Sequence, residues 1–195
     1  TTTQPPLAGI QSGSVYRITN RHSAKVISVA GSSGQNGANV RQWQFWGGKN
    51  QKWKVTKNSE GYYSLTSQHS GKCLEVTGNS SDNGANIHQW QASGGPNQQF
   101  EISHVADGYY KIIARHSGKA LDVWRKSTDD GSDIRQYDYH GDDNQLWKFD
   151  LVSSENDIGQ ILRLLLEYII CLLRSIGDDP TEPTTTTTTA PATTT

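Results

Sequence analysis

The sequence predicts an all-β, barrel-like domain of about twelve short strands, made by using one unit three times. Three observations predict it. Gln51-Lys52-Trp53, Gln98-Gln99-Phe100 and Gln145-Leu146-Trp147 are one Gln-x-aromatic tripeptide recurring at a step of 47 residues. Tyr16, Tyr63 and Tyr110 keep that step, as do His22, His69 and His116, and Gly37, Gly84 and Gly131. A constant period of this size marks a triplicated supersecondary unit. Within each copy, short alternating apolar and polar runs are separated by Asn-Gly or Asp-Gly turns and Gly-rich loops, the pattern of strands and tight turns.

Each copy opens with an alternating run beginning at Tyr16, Tyr63 or Tyr110, and a His-Ser turn follows. A second strand is expected over Val26–Ala30, Cys73–Thr77 and Ala120–Trp124. After the turn at Asn36-Gly37, Asn83-Gly84 or Asp130-Gly131, a third strand runs through Val40, Ile87 or Ile134. The fourth begins at the aromatic of the tripeptide. Strand alternation sends Ile27, Leu74 and Leu121 inward with Val29, Val76 and Val123. Ser28, Glu75 and Asp122 then face outward, as do Ala30, Thr77 and Trp124. On the third strand, Arg41, His88 and Arg135 share the outward face with Trp43, Trp90 and Tyr137. An outward large aromatic in every copy asks for a partner. Trp53, Phe100 and Trp147 are read as core.

Composition narrows the function. A net charge of −1 gives no general attraction to nucleic acid or anionic membrane. The hydrophobic share of 33% is low for a globular domain, partly because Thr1–Pro6 and Pro180–Thr195 are Thr/Pro tracts that build no core. The chain has no Met and reads as a piece of a larger, multimodular polypeptide. The expected organisation is a tail over residues 1–12, repeats over about 13–59, 60–106 and 107–152, a helix over 153–177 and a linker over 178–195. Cys73 and Cys171 share no repeat position; Cys73 reads as a small buried thiol, with a Cys73–Cys171 disulfide as the alternative. No metal-ligand spacing appears.

The C-terminal helix is predicted from Ser154 as cap, with an acid at Asp157. Ile158, Ile161, Leu162, Leu165, Tyr168, Ile169, Leu172, Leu173 and Ile176 follow at helical spacing. Arg163 and Glu167 interrupt the apolar run, leaving it too short to span a bilayer. The wide apolar face over 154–176 instead calls for cover by the barrel, by another chain or by a neighbouring module, and self-association is the favoured expectation. Thr184–Thr195 reads as an O-glycosylated linker to further modules, and Asn79-Ser80-Ser81 is a glycosylation sequon.

The three Gln-x-aromatic motifs carry a family resemblance. So do the Ser-Gly-Lys-x-Leu-(Asp/Glu)-Val strand, the Asn-Gly turn and the (Val/Ile)-x-Gln-aromatic strand. Together they resemble the ricin-B-type lectins, which include the family-thirteen carbohydrate-binding modules, over about three quarters of the chain. The resemblance implies a β-trefoil: a six-strand barrel capped by three hairpins about a pseudo-threefold axis, with one shallow sugar pocket per repeat. A family pocket joins a carboxylate on the second strand, an aromatic platform on the third, and an amide from the Asn-Gln pair before the last aromatic. A carboxylate accepts two hydroxyl hydrogens from a sugar edge, and the sugar's C–H face lies on the ring.

Carried over, the third repeat fits best: Asp122 as acceptor, Tyr137 as platform, Trp124 as second wall, Asn144 and Gln145 as amides and Arg135 as donor. The second offers Glu75, His88, Trp90, Asn97 and Gln98. In the first, Ser28 replaces the carboxylate and Ala30 the wall, so a pocket of Trp43, Asn50 and Gln51 is read as weak or inactive. His22, His69 and His116 could meet as a metal site on the axis, but a repeated structural turn is the simpler reading. Glycoside hydrolysis needs two carboxylates across one bond, and Glu75 with Asp122 would lie in separate pockets. The expectation is a secreted, non-catalytic carbohydrate-binding module without cofactor, attached to an enzyme that degrades plant polysaccharide rich in galactose, arabinose or xylose. The alternative is a protein-binding β-trefoil of the receptor-ligand or protease-inhibitor type.

Overall fold

The computed structural model describes residues 9–152, 162 and 165–170. The chain divides into two units, Thr1–Val152 and Ser153–Thr195. In the second unit, residues 162 and 165–170 are helical, with Leu165, Leu166, Tyr168, Ile169 and Ile170 exposed. The remainder of the expected helix lies outside the described residues, as does Cys171 and with it the disulfide alternative. No helix among the described residues is long and apolar enough to cross a membrane.

Among the described residues, the first unit has twelve strands. β1 (Val15–Asn20), β2 (Val26–Val29), β3 (Val40–Trp43) and β4 (Trp53–Lys57) form the first repeat. β5 (Tyr63–Ser67), β6 (Cys73–Val76), β7 (Ile87–Trp90) and β8 (Phe100–Ala106) form the second. β9 (Tyr109–Ala114), β10 (Ala120–Val123), β11 (Ile134–Tyr137) and β12 (Trp147–Leu151) form the third. β1 pairs with β4, β4 with β5, β5 with β8, β8 with β9, β9 with β12 and β12 with β1, so six strands close into a barrel. The hairpins β2–β3, β6–β7 and β10–β11 cap it. This is a β-trefoil, and closure leaves the barrel no open edge.

The apolar positions predicted to face inward do so. Trp53, Phe100 and Trp147 fill the core beside Ile18, Leu65 and Ile112, all without solvent exposure. The Trp53 indole N–H donates to the Ile27 carbonyl at 3.0 Å and that of Trp147 to the Leu121 carbonyl at 3.2 Å, which satisfies two buried donors.

Buried glutamines tie the repeats together. Gln42 Nε2 donates to the carbonyls of Ser127 and Asp129, both at 2.9 Å. Gln89 does the same to Ser33 (2.8 Å) and Gln35 (2.9 Å), and Gln136 to Ser80 (2.7 Å) and Asp82 (2.9 Å). Each glutamine oxygen accepts from the serine of its own His-Ser turn: Ser23, Ser70 and Ser117 at 2.6, 2.7 and 2.7 Å. Two of the turn histidines serve the same joints, since His22 Nε2 lies 3.0 Å from the Lys126 carbonyl and His116 Nε2 lies 2.8 Å from that of Ser80. Among the described residues, no His, Cys, Asp and Glu gather in a group able to hold a metal ion.

Two expectations need correction. The second strand stops one residue early in every copy, at Val29, Val76 and Val123, and Ala30, Thr77 and Trp124 each begin a 3-10 turn. That turn demands a left-handed second residue, supplied by Gly31 (φ 59°), Gly78 (φ 65°) and Arg125 (φ 57°). The outward residues Ser28, Glu75 and Asp122 are also buried rather than open. Each lies on the barrel's outer side, but its side chain meets polar groups from the loop before the fourth strand.

Candidate functional site

The third repeat builds its site on the β10–β11 hairpin. Asp122 sits mid-strand on β10, directly across from Arg135 on β11. The chain then leaves β10 through the 3-10 turn Trp124–Lys126. Tyr137 closes β11, and the following loop brings His140 and then Asn144 back over the hairpin. Asp122, Trp124, Arg125, Lys126, Tyr137, His140 and Asn144 line an open pocket of about 230 Å³.

Asp122 is the chemical centre of this pocket. It is 4% exposed. Its Oδ2 accepts from Asn144 Nδ2 at 2.9 Å and lies 3.4 Å from His140 Nε2. Burial pushes the Asp122 carboxyl above the usual aspartate range, against the opposing pull of Gln145, His140 and Asn144. Beyond it, His140 Nδ1 lies 3.2 Å from the Asp142 carboxylate, whose Oδ2 meets Lys126 Nζ at 2.6 Å.

The aromatic groups divide the work unevenly. A side chain at Gly131 would meet Trp43 at 3.4 Å, and one at Gly37 would meet Trp90 at 3.6 Å, so these two rings pack on a neighbouring repeat's glycine turn. At the matching turn, Gly84, the nearest ring is Trp124, not Tyr137. Trp124 has taken the packing position, and Tyr137, as exposed as Trp90, instead lines the pocket with its ring 6.2 Å from that of Trp124. Arg135 stacks on Trp124 at 4.5 Å and donates to Asp133 at 2.9 Å, so it braces the Trp124 wall and does not line the pocket.

In the second repeat the same positions satisfy one another. Glu75 Oε1 lies 3.0 Å from His88 Nε2, and Oε2 accepts from Gln98 Nε2 at 2.5 Å. His88 stacks on Trp90 at 5.5 Å, and Asn97 donates to the Val76 carbonyl instead of to the carboxylate. The longer Glu reaches its neighbours and turns a ligand position into an internal network. In the first repeat Asn50 donates to Ser28 Oγ at 3.2 Å, and Ser28, Trp43, Asn50 and the exposed Trp46 line a hollow of about 220 Å³ without a carboxylate.

Gln51, Gln98 and Gln145 each brace their own loop, and Gln98 and Gln145 also reach Glu75 and Asp122. Gln145 Nε2 donates to the Asp138 carbonyl at 3.0 Å while its Oε1 accepts from the His140 amide at 2.9 Å. Gln51 repeats this with Gln44 and Trp46, and Gln98 with Gln91 and Ser93. The glutamine of the motif shapes the pocket loop and presents no group to its opening.

Arg125, Lys126 and His140 line the pocket without having been singled out from sequence. A signal existed. The positions equivalent to His140 hold Trp46 and Ser93, and those equivalent to Arg125 hold Gly31 and Gly78. Residues that break an otherwise kept repeat are the ones that distinguish one pocket from another.

A sequence profile of the ricin-type beta-trefoil lectin domain-like family matches residues 7–90 and 96–162. The chain belongs to the ricin-type β-trefoil lectin family. A designed threefold-symmetric protein, ThreeFoil, is 48% identical with a TM-score of 0.69, over 69% of this chain and 96% of its own. An exo-beta-1,3-galactanase from Clostridium thermocellum is 37% identical with a TM-score of 0.71, over 73% of this chain. The match spans about a third, 31%, of that enzyme's chain. A ricin B-like lectin from Macrolepiota procera, solved with lactose, shares the fold at 20% identity and a TM-score of 0.65, over 73% of this chain and 99% of its own. No curated protein matched the chain by sequence. The lectin-family hairpin is thus where Asp122, Tyr137 and Asn144 come together.

Proposed function

We propose that this chain binds carbohydrate without turning it over, and that the third repeat is its principal site. The carrying observation is the buried Asp122 carboxylate beside the exposed Tyr137 ring in an open pocket. A pyranose laid on Tyr137 would bury its C–H face there and direct hydroxyls to Asp122, Asn144 and the Arg125–Lys126 turn. Only one of the pocket's lining residues is a carboxylate, which favours recognition over glycoside hydrolysis.

The ligand class in this reading is a galactose-, arabinose- or xylose-containing plant-type polysaccharide, and the chain delivers an attached secreted enzyme to it. Likeness to part of a galactanase supports this. The exposed apolar side chains at 165–170 support association between copies through the C-terminal helix. A glycan screen followed by calorimetry tests the central claim. A monosaccharide Kd on the order of 0.1–10 mM is expected for one shallow pocket. Absence of binding to every galactan, arabinan and xylan tried would refute it.

A further inference from the structure

One pair of repeat positions is emptied in the second copy. Arg17 and Phe45 of the first repeat correspond to Lys111 and Tyr139 of the third, but to Ser64 and Ala92 of the second. In the first copy the Arg17 guanidinium lies 4.9 Å over the Phe45 ring and donates to Asp150 at 2.7 Å. In the third, Lys111 Nζ lies 5.1 Å over Tyr139. At these two positions the second copy has neither ring nor cation.

The surface records the loss. The depression in the first copy holds about 200 Å³ and has Phe45 as a wall, beside Arg17, Asp150 and Leu151. Its counterpart in the second holds about 230 Å³ and continues past Ala92 to the buried Cys73 and Gln98, with Thr56, Tyr62 and Ser64 as further walls. The first-copy equivalents of Cys73 and Gln98, which are Val26 and Gln51, do not line that copy's depression. Two cations stand near it and both are engaged: Lys57, itself a lining residue, lies with its Nζ 5.3 Å over the Tyr63 ring, and Arg115 lies 4.4 Å over the Tyr62 ring and pairs with Glu60.

We infer that this second-repeat pocket, which shares no lining residue with the third-repeat sugar site, binds a small uncharged aryl ring such as that of a phenol or an aryl glycoside. The sister copies supply the argument, since the chain sets its own phenyl ring against this depression in one and its own phenol ring at the same repeat position in the other. Ala92 opens the way to an inner wall that includes the Cys73 thiol, and sulfur makes favourable contacts with ring edges.

The test is phenol titrated into the ¹⁵N-labelled full chain. Saturable shifts centred on Ser64, Cys73 and Ala92 are expected, with a Kd of about 1–10 mM. The variant Ser64→Arg/Ala92→Phe copies the first repeat, and it should abolish saturation while keeping sugar binding. Asp122→Asn should weaken sugar binding and leave the phenol response intact, so failure of the sugar reading and failure of this one are separable. Shifts that never saturate, that centre on Tyr137 and Trp124, or that survive in the filled variant would overturn the inference. A filled variant that does not fold would also overturn it, because the space would then not accept a ring.

Discussion

Replacing Asp122 by Asn is the sharpest test of the third-repeat site, because it separates affinity from stability. The substitution keeps shape but removes the charge toward which a sugar hydroxyl would donate. A hydrogen bond to a charged group contributes about 1.5–3 kcal/mol, or roughly a 10- to 150-fold loss of affinity when removed. Stability should respond differently. Burial is the first cause of the raised Asp122 pKa, outweighing the pull of Gln145, His140 and Asn144. A carboxyl whose folded pKa lies above its unfolded value favours folding while protonated. That contribution is present below the ordinary aspartate pKa and fades as pH rises through the raised folded one. At neutral pH the ionised Asp122 is therefore a cost to the fold. Asp122→Asn should melt at the same temperature as the parent, or higher, while calorimetry with the sugar found by screening shows the affinity loss. Unchanged affinity would refute the assignment. So would a large drop in melting temperature alongside lost binding, since Asp122 would then be holding the hairpin together.

The same pKa direction predicts that parental binding weakens on acidification at a pH above the usual aspartate range, and that Asp122→Asn shows no such titration in a calorimetric pH series. Arg125→Gly should raise stability to urea by about 1 kcal/mol, by relieving a left-handed non-glycine residue, yet weaken sugar binding; a gain in both would place Arg125 outside the site. Sugar calorimetry should give one site per chain, and His88→Ala should raise that toward two by releasing Glu75; an unchanged stoichiometry would mean that Glu75 is geometrically unfit. Light scattering should find the full chain associated and a chain ending at Ser153 monomeric, and two monomers would exclude association through the helix.

The repeat made the fold legible. A step that never slips places every Gln-x-aromatic motif, and strand alternation then selects Ile27, Leu74 and Leu121 as core. What alternation cannot show is what a loop does after the strand ends. Asp122 was recognised as lying on the outer side, yet its burial comes from Asn144, which lies 22 residues further along the chain. Gln145 matched the family's amide position, but it braces Asp138 and His140 of its own loop and reaches Asp122 from behind the pocket lining. Trp124 and Tyr137 exchange roles relative to Trp43 and Trp90, which depends on which ring reaches Gly84 first. His140 and Arg125 were visible only as departures from the repeat, and a departure does not announce which way its side chain will point.

The glutamine clamps carry a consequence for how such a molecule diversifies. Gln42, Gln89 and Gln136 grip the loops of an adjacent repeat by main-chain carbonyls alone. The grip therefore ignores the side chain at its second carbonyl: Gln35, Asp82 and Asp129 are held alike. The serine is kept in all three copies because its hydroxyl accepts from the amide two residues on, but identity at Gln35, Asp82 and Asp129 is free to drift while the loop's path stays put. A scaffold of this kind can acquire new recognition surfaces one residue at a time, with the fold insulated from the changes that alter what it grips.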